Sequence, residues 1–183
     1  MQVNEGWLSG VIHCPSPHFN QRPTGESISL LVIHNISLPP GEFGGGHVQQ
    51  FFQGQLDSAA HPYFAFIAEM QVSAHFLIER TGQITQFVSC LDRAWHAGQS
   101  RYAGREQCND FSIGIELEGA DDVPYSDAQY QALSTLTQCL RQAYPAITLN
   151  RITGHEHIAP GRKTDPGPAF DWGRYLRSLR QSR

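Results

Sequence analysis

Residues 111–119, FSIGIELEG, alternate with a period of two: Phe111, Ile113, Ile115 and Leu117 fall on one face, and Ser112, Gly114, Glu116 and Glu118 on the other. The segment reads as a strand with its apolar face committed to a core, and the remaining elements must supply its cover. SLLVIHN, residues 29–35, is a short apolar run read as a buried strand ending in His34 and Asn35. SAHFLIERTGQITQFV reads as a hairpin turning at Thr81-Gly82, with His75 at the start of its first strand. Ser126 and Gln129 form a capping-box signature; Tyr130, Leu133, Leu136 and Leu140 then recur at helical spacing up to about Tyr144, and Pro145 stops the helix. A short strand over about Thr148–Thr153 is expected to deliver His155 at its end. The apolar set Trp172, Tyr175, Leu176 and Leu179 marks a terminal amphipathic helix, with Arg174, Arg177, Arg180 and Arg183 on its solvated face. Strands interspersed with helices at these lengths predict an α/β fold, one mixed sheet covered by helices, and 183 residues suit a single domain spanning 1–183.

Charge and composition narrow the function classes. The formal net charge is −4 and the basic residues are dispersed, apart from those at the C-terminal end, which argues against nucleic acid as a partner. No stretch approaches the roughly 20 apolar residues of a membrane span, so no membrane association is expected. The N-terminal residues show no basic region followed by an apolar run, and a cytoplasmic location is expected. Cys14, Cys90, Cys108 and Cys139 are scattered without a C-x-x-C pair and read as reduced, incidental thiols. PPGEFGGG, residues 39–46, is a loop placed to border a site.

The stretch ITGHEHIAPGRKTDPGPAF, residues 152–170, holds the chain's only lysine, Lys163; the other twelve of its thirteen basic residues are arginines. A solvated charge can be either residue, so a lone lysine points to a position that needs a compact ammonium. His155, His157 and Asp165 stand beside it, and His34 falls at the end of another strand. His34, His155 and Asp165 together have the make-up of a three-ligand metal site with an open position. Spacing by itself is weak support, since nine histidines allow many triples. Asp165 precedes Pro166, which favours an extended, stiffly held backbone.

LLVIHN, WHAG, IGIELEG and TGHEHIAPGRKTDPGP, in this order, resemble the type 2 N-acetylmuramoyl-L-alanine amidases, and the likeness runs through nearly the whole chain. It is nearest to the cytosolic members that recycle soluble 1,6-anhydro muropeptides. The resemblance implies a central mixed sheet flanked by helices, as in peptidoglycan recognition proteins, and a Zn2+ ion held by His34, His155 and Asp165. It places a catalytic acidic residue at Glu116 and a second catalytic residue at Lys163. His157 departs from the motif, and two positions along an extended strand it would face the same way as His155; His155 is preferred because it follows Thr153-Gly154.

Hydrolysis of an amide requires a polarised carbonyl, an activated water and a protonated leaving amine. Zinc lowers the pKa of water to roughly 7, Glu116 is the candidate proton carrier, and the Lys163 ammonium is placed for the oxyanion. Asn35, Tyr63, Phe64, Trp95 and His96 are candidates for binding the anhydromuropeptide, the aromatic rings by stacking on a sugar or lining the peptide groove. His75 and His96 also suit a role in holding a ligand or a substrate oxygen. A monomer is the expected form. A binding module without catalysis would be expected to lack a zinc ligand, and a secreted lysin to carry an export signal or an added wall-binding module.

Overall fold

The computed structural model describes residues 1–181, so Arg183 of the basic terminal set lies outside the described residues. A six-stranded sheet is built from β1 (Ile12–His13), β2 (Leu30–Ile36), β3 (Phe76–Ile78), β4 (Ile84–Gln86), β5 (Ser112–Glu118) and β6 (Ile152–Gly154), in the order β6-β2-β5-β3-β4-β1. β6, β2, β5 and β3 run parallel, β4 turns back antiparallel to β3, and β1 pairs parallel with β4. The helices are α1 (His47–Phe52), α2 (Phe64–Ile67), α3 (Asp127–Ala143), α4 (His155–Ile158) and α5 (Trp172–Gln181). This is the expected mixed α/β sheet flanked by helices. The expected hairpin forms, with Phe76 opposite Gln86 and Ile78 opposite Ile84, and its turn takes in Arg80 as well as Thr81-Gly82, with Glu79 N donating to Gln83 O.

Side-chain alternation divides the sheet into two functional faces. Leu31, Ile33, Ile113, Ile115 and Leu117 point to one side and pack against Tyr130, Leu133, Leu136 and Leu140 of α3 and Tyr175 and Leu179 of α5. Burying each such leucine or isoleucine contributes about 1.5–3 kcal/mol. The capping box is present: Ser126 Oγ accepts from Gln129 N and Gln129 Oε1 accepts from Ser126 N, both at 3.1 Å. Gln129 Nε2 also donates to Ile78 O and Glu118 O, which fastens the start of α3 to the sheet. On α5, Arg174 lies over the Tyr130 ring and pairs with Asp127, so this arginine packs onto α3 instead of only facing solvent.

The other face carries Leu30 and Val32 with Ala97, Cys108 and Ile158, and Leu77 with Phe51, Phe52, Phe64 and Ile67. All seven residues of β5 are buried, because this face is covered too and the strand is central. Phe111 departs from the expected alternation. It ends a short 3-10 turn, Cys108–Asp110, before β5 begins, and its ring joins Leu30 and Val32 on the opposite face from Ile113. The expected strand over Thr148–Thr153 is also shorter: Leu149–Arg151 forms a 3-10 turn, and the ladder runs only from Ile152 to Gly154. All four cysteines are free. No helix among the described residues is long and apolar enough to cross a membrane.

Candidate active site

Parallel pairing of β2 and β5 sets His34 beside Glu116 in register, on the face away from α3. β6 pairs with the other edge of β2 and ends at Gly154, so His155 opens α4 within reach of His34. The loop after α4 then returns, with Glu156 N–H donating to Asp165 O, and brings the Asp165 carboxylate in from the side. His34 Nδ1 and His155 Nδ1 are 3.0 Å apart, and each lies 3.1 Å from Asp165 Oδ2. Both histidines are almost fully buried.

The far edge of each ring is engaged. His155 Nε2 lies 3.0 Å from Ala97 O, a pure acceptor, so Nε2 carries the proton and Nδ1 presents a lone pair toward Asp165. His34 Nε2 lies 2.9 Å from His96 Nδ1, whose own Nε2 is 3.1 Å from Ser112 Oγ. With His34 in the same tautomer, two imidazole lone pairs and a carboxylate oxygen converge on one point. Three acceptors this close repel unless a cation stands among them, so the donor set fits a metal ion. Burial pushes the His34 pKa down to about 4, which keeps the ring neutral and able to ligate. Burial by itself would raise the Asp165 carboxyl; a proton on Nδ1 of His155 or His34 would hydrogen-bond it and hold it well below the usual carboxylate range, a place a bound cation would take.

Glu116 is the opposite case. Burial, reinforced by the negative Asp165, raises its pKa well above the ordinary carboxylate value. Its Oε1 is 4.0 Å from His34 Nδ1, and its buried Oε2 has no hydrogen-bond partner among the described residues. A buried oxygen left unpaired costs about 1–3 kcal/mol, a cost a bound ligand would relieve. Lys163 is exposed and lines the same cavity; its backbone N–H donates to Ala159 O, while its ammonium makes no hydrogen bond or ion pair with another described residue. The cavity holds about 360 Å³ and is walled on its apolar side by Phe51, Phe52, Ile67 and Val72. Leu38 and Pro40 bring the 39–46 loop to its edge, where Gly44 N–H donates to Glu118 Oε1.

The substrate-binding candidates separate. Tyr63 and Trp95 line the cavity; Trp95 is steadied by Nε1 donating to Asn20 Oδ1 and by stacking on His18. Asn35 lines it as well, but Nδ2 donates to Asp121 Oδ1 and Pro166 O, tying the Asp165 loop to β2. Phe64 is a correction: it is 0% exposed and belongs to the core under α1, because α2 turns it inward while Tyr63 stays outside. His96 reaches the cavity wall but spends both nitrogens on His34 and Ser112, and burial holds its pKa well below the usual histidine value. His75 lies deeper: its Nδ1 accepts from Gly114 N and its Nε2 donates to Asp92 O.

His157 does not compete with His155. The segment that an extended reading would continue is helical from His155, and residues two apart on a helix point roughly 200° away from each other. The His157 ring faces Trp172, with centroids 6.1 Å apart, and is exposed.

Three contributors escaped sequence reasoning. Arg22, from a loop with no motif, donates to Cys90 O, Asn109 O, Asp110 O and Ser112 O, pinning the start of β5. Arg162 donates to Ala97 O and Gln99 O. Gly114 leaves the space in which the His96 ring lies, since a Cβ there would stand 2.4 Å from His96 Cγ. The legible signal was Gly114 itself, a residue without a side chain between Ser112 and Glu116 on the site face.

Comparison with known proteins identifies the family. Residues 24–168 match the N-acetylmuramoyl-L-alanine amidase family. The 1,6-anhydro-N-acetylmuramyl-L-alanine amidase AmpD of Haemophilus influenzae is 58% identical over 178 residues, 97% of each chain. A crystal structure of a selenomethionine AmpD derivative superposes with a TM-score of 0.95 at 59% identity, over 98% of this chain and 99% of that one. The complex of Escherichia coli AmiD with anhydro-N-acetylmuramic acid-L-Ala-D-gamma-Glu-L-Lys superposes with a TM-score of 0.61 at 30% identity, over 86% of this chain and 60% of that one. Matched over most of its length by the family and over nearly all of it by close relatives, the chain belongs to the N-acetylmuramoyl-L-alanine amidases.

Proposed function

We propose that the protein is a zinc-dependent amidase of peptidoglycan recycling, which cleaves the bond between the lactyl group of 1,6-anhydro-N-acetylmuramic acid and the L-alanine of the stem peptide. The observation that carries the reading is the convergence of His34 Nδ1, His155 Nδ1 and Asp165 Oδ2 beside Glu116, in a cavity that Lys163 also lines. The activity for which AmpD, 58% identical, is named supports the substrate, as does the anhydromuropeptide bound to the more distant AmiD. In this reading His34, His155 and Asp165 hold zinc, which when bound supplies Lewis acidity toward the amide carbonyl and acidity to water.

The remaining chemistry falls to side chains. Glu116, with its pKa raised by burial and by Asp165, is suited to take a proton from water and return it to the departing nitrogen. The positive field of a cation at the three ligands would favour its ionised form before the reaction. Lys163 brings three donors on a flexible stem to the cavity mouth, where the ammonium stabilises negative charge growing on the amide oxygen. Tyr63 and Trp95 present aromatic faces to the muramyl sugar or the peptide, and Asn35 holds the Asp165 loop while facing the cavity. The single domain, residues 1–183, acts as a monomer in the cytoplasm on soluble muropeptides, with no membrane or nucleic-acid partner.

Mass spectrometry of an anhydromuropeptide before and after incubation tests this. Release of intact stem peptide and anhydro-N-acetylmuramic acid is expected, faster than release from intact wall at matched concentration. Equal or faster digestion of intact wall would overturn the recycling assignment.

A further inference from the structure

Consecutive residues of one segment hold the outer edges of both histidine rings at the site. His96 Nδ1 lies 2.9 Å from His34 Nε2, and Ala97 O lies 3.0 Å from His155 Nε2. We propose that the His96–Ala97 segment is the positioning element that fixes the tautomer and aim of both metal-binding histidines, and that Asn109 is the clamp holding that segment. The inference rests on the reading of His34, His155 and Asp165 as a metal site.

The proton directions are consistent through the whole network. A ligating Nδ1 must carry a lone pair, so Nε2 must carry hydrogen and needs an acceptor. Ala97 O accepts from His155. On the other side, His34 donates to His96 Nδ1, and His96 in turn donates from Nε2 to Ser112 Oγ at 3.1 Å. The segment is fastened independently of the histidines. Asn109, 5% exposed, accepts at Oδ1 from both His96 N at 3.2 Å and Ala97 N at 2.8 Å. The His96 ring lies against the bare backbone of Gly114, where any Cβ would collide with it. Arg162 donates to Ala97 O at 2.6 Å and to Gln99 O at 2.7 Å, closing the segment from the other side. One clamp thus serves two ligands delivered by different strands, β2 and β6.

The tests are imidazole nitrogen NMR on the metal-free protein and zinc affinity by competition with a chromophoric chelator. In the wild type, His34 should be the Nε2–H tautomer, held so by the His96 acceptor against the pull of the Asp165 carboxylate for a proton on Nδ1. His96→Phe keeps bulk but removes the acceptor; it should mix the His34 tautomers and weaken zinc binding roughly tenfold to a hundredfold. His96→Asn should restore both to near wild type, because its Oδ1 stands as many bonds from the backbone as the histidine Nδ1. Asn109→Ala should weaken zinc in the same range, and Asn109→Asp, which keeps the acceptor, should not. If His96→Phe does not fold, the Asn109 pair decides: equal affinities in the two variants overturn the proposal. A His96→Phe protein with the wild-type tautomer and zinc affinity within about threefold also overturns it. Failure of the wild type itself to take up zinc would instead bring down the metal reading, and this inference with it.

Discussion

Glu116 and His34 are register partners on neighbouring parallel strands, and their side chains emerge on the same face with Glu116 Oε1 4.0 Å from His34 Nδ1. The pairing makes the distance between the proposed proton carrier and the proposed metal ligand a property of the sheet ladder, a rigid connection. The two groups are also pushed in complementary directions: burial lowers the His34 pKa to about 4 and raises that of the Glu116 carboxyl, in each case disfavouring the charged form in the interior.

Glu116→Gln preserves shape and removes the titrating group. The variant is expected to fold and to bind zinc, yet to lose activity by about a hundredfold to ten-thousandfold, the usual contribution of a positioned acid–base group. Zinc content and muropeptide turnover on one preparation check it; activity within threefold of wild type would remove Glu116 from the mechanism.

Chelation should inactivate the enzyme and lower its melting temperature, because a ligand bound only by the folded state stabilises it, by about 2.7 kcal/mol at a hundredfold excess over Kd. Asp165→Ala and His155→Ala should show that lower melting temperature without chelator, whereas His157→Ala should retain full zinc. Metal loss in His157→Ala with retention in His155→Ala would reverse the assignment.

Lys163→Arg keeps the charge and, on an exposed stem, should not disturb folding or zinc. The longer planar fork fits the cavity mouth differently and can pair with Asp165 or Glu116. Turnover is expected to fall roughly a hundredfold to a thousandfold, with KM changed much less. Turnover within threefold of wild type would make Lys163 an ordinary surface charge.

Tyr63 and Phe64 are sequence neighbours with opposite fates, and alanine substitutions should separate them. Phe64→Ala empties a core position and should cost about 3–5 kcal/mol of stability. Tyr63→Ala should leave the melting temperature near wild type and raise KM. Denaturant unfolding alongside steady-state kinetics reads both.

Stability should decline on the acid side through His75. Burial, with the Arg22 guanidinium nearby, lowers its pKa from 6.5 to about 3. Between those values the unfolded chain binds a proton that the folded chain refuses. The stabilisation is therefore complete above pH 6.5 and is lost as pH falls toward 3, with a slope of up to about 1.4 kcal/mol per pH unit. His75→Asn, whose Oδ1 can still accept from Gly114 N, should flatten that slope in denaturant titrations of metal-free protein at several pH values. An unchanged slope would show that other groups set the acid limit.

The local pattern of the sequence determined the main elements and the chemistry-bearing residues. Period-two alternation marked β5, a capping box marked α3, the motif around Lys163 named His155 and Asp165 as candidate ligands, and the end of the strand SLLVIHN named His34, because these signals depend on neighbours along the chain. Where an element stops is a weaker signal, which is why a strand was expected where Leu149–Arg151 makes a 3-10 turn and His155 opens a helix. That turn of helix is what sent His157 away from the site. Tertiary structure alone decided the rest. Phe64 went inward and Tyr63 outward because α2 packs on a second apolar cluster, and Phe111 crossed to the opposite face because it precedes the ladder. The hold of His96 and Ala97 on two histidines, the Asn109 clamp and the Arg22 anchor join residues 12 to 90 positions apart. No local periodicity can encode such contacts, since each partner is chosen by where the sheet order places its strand.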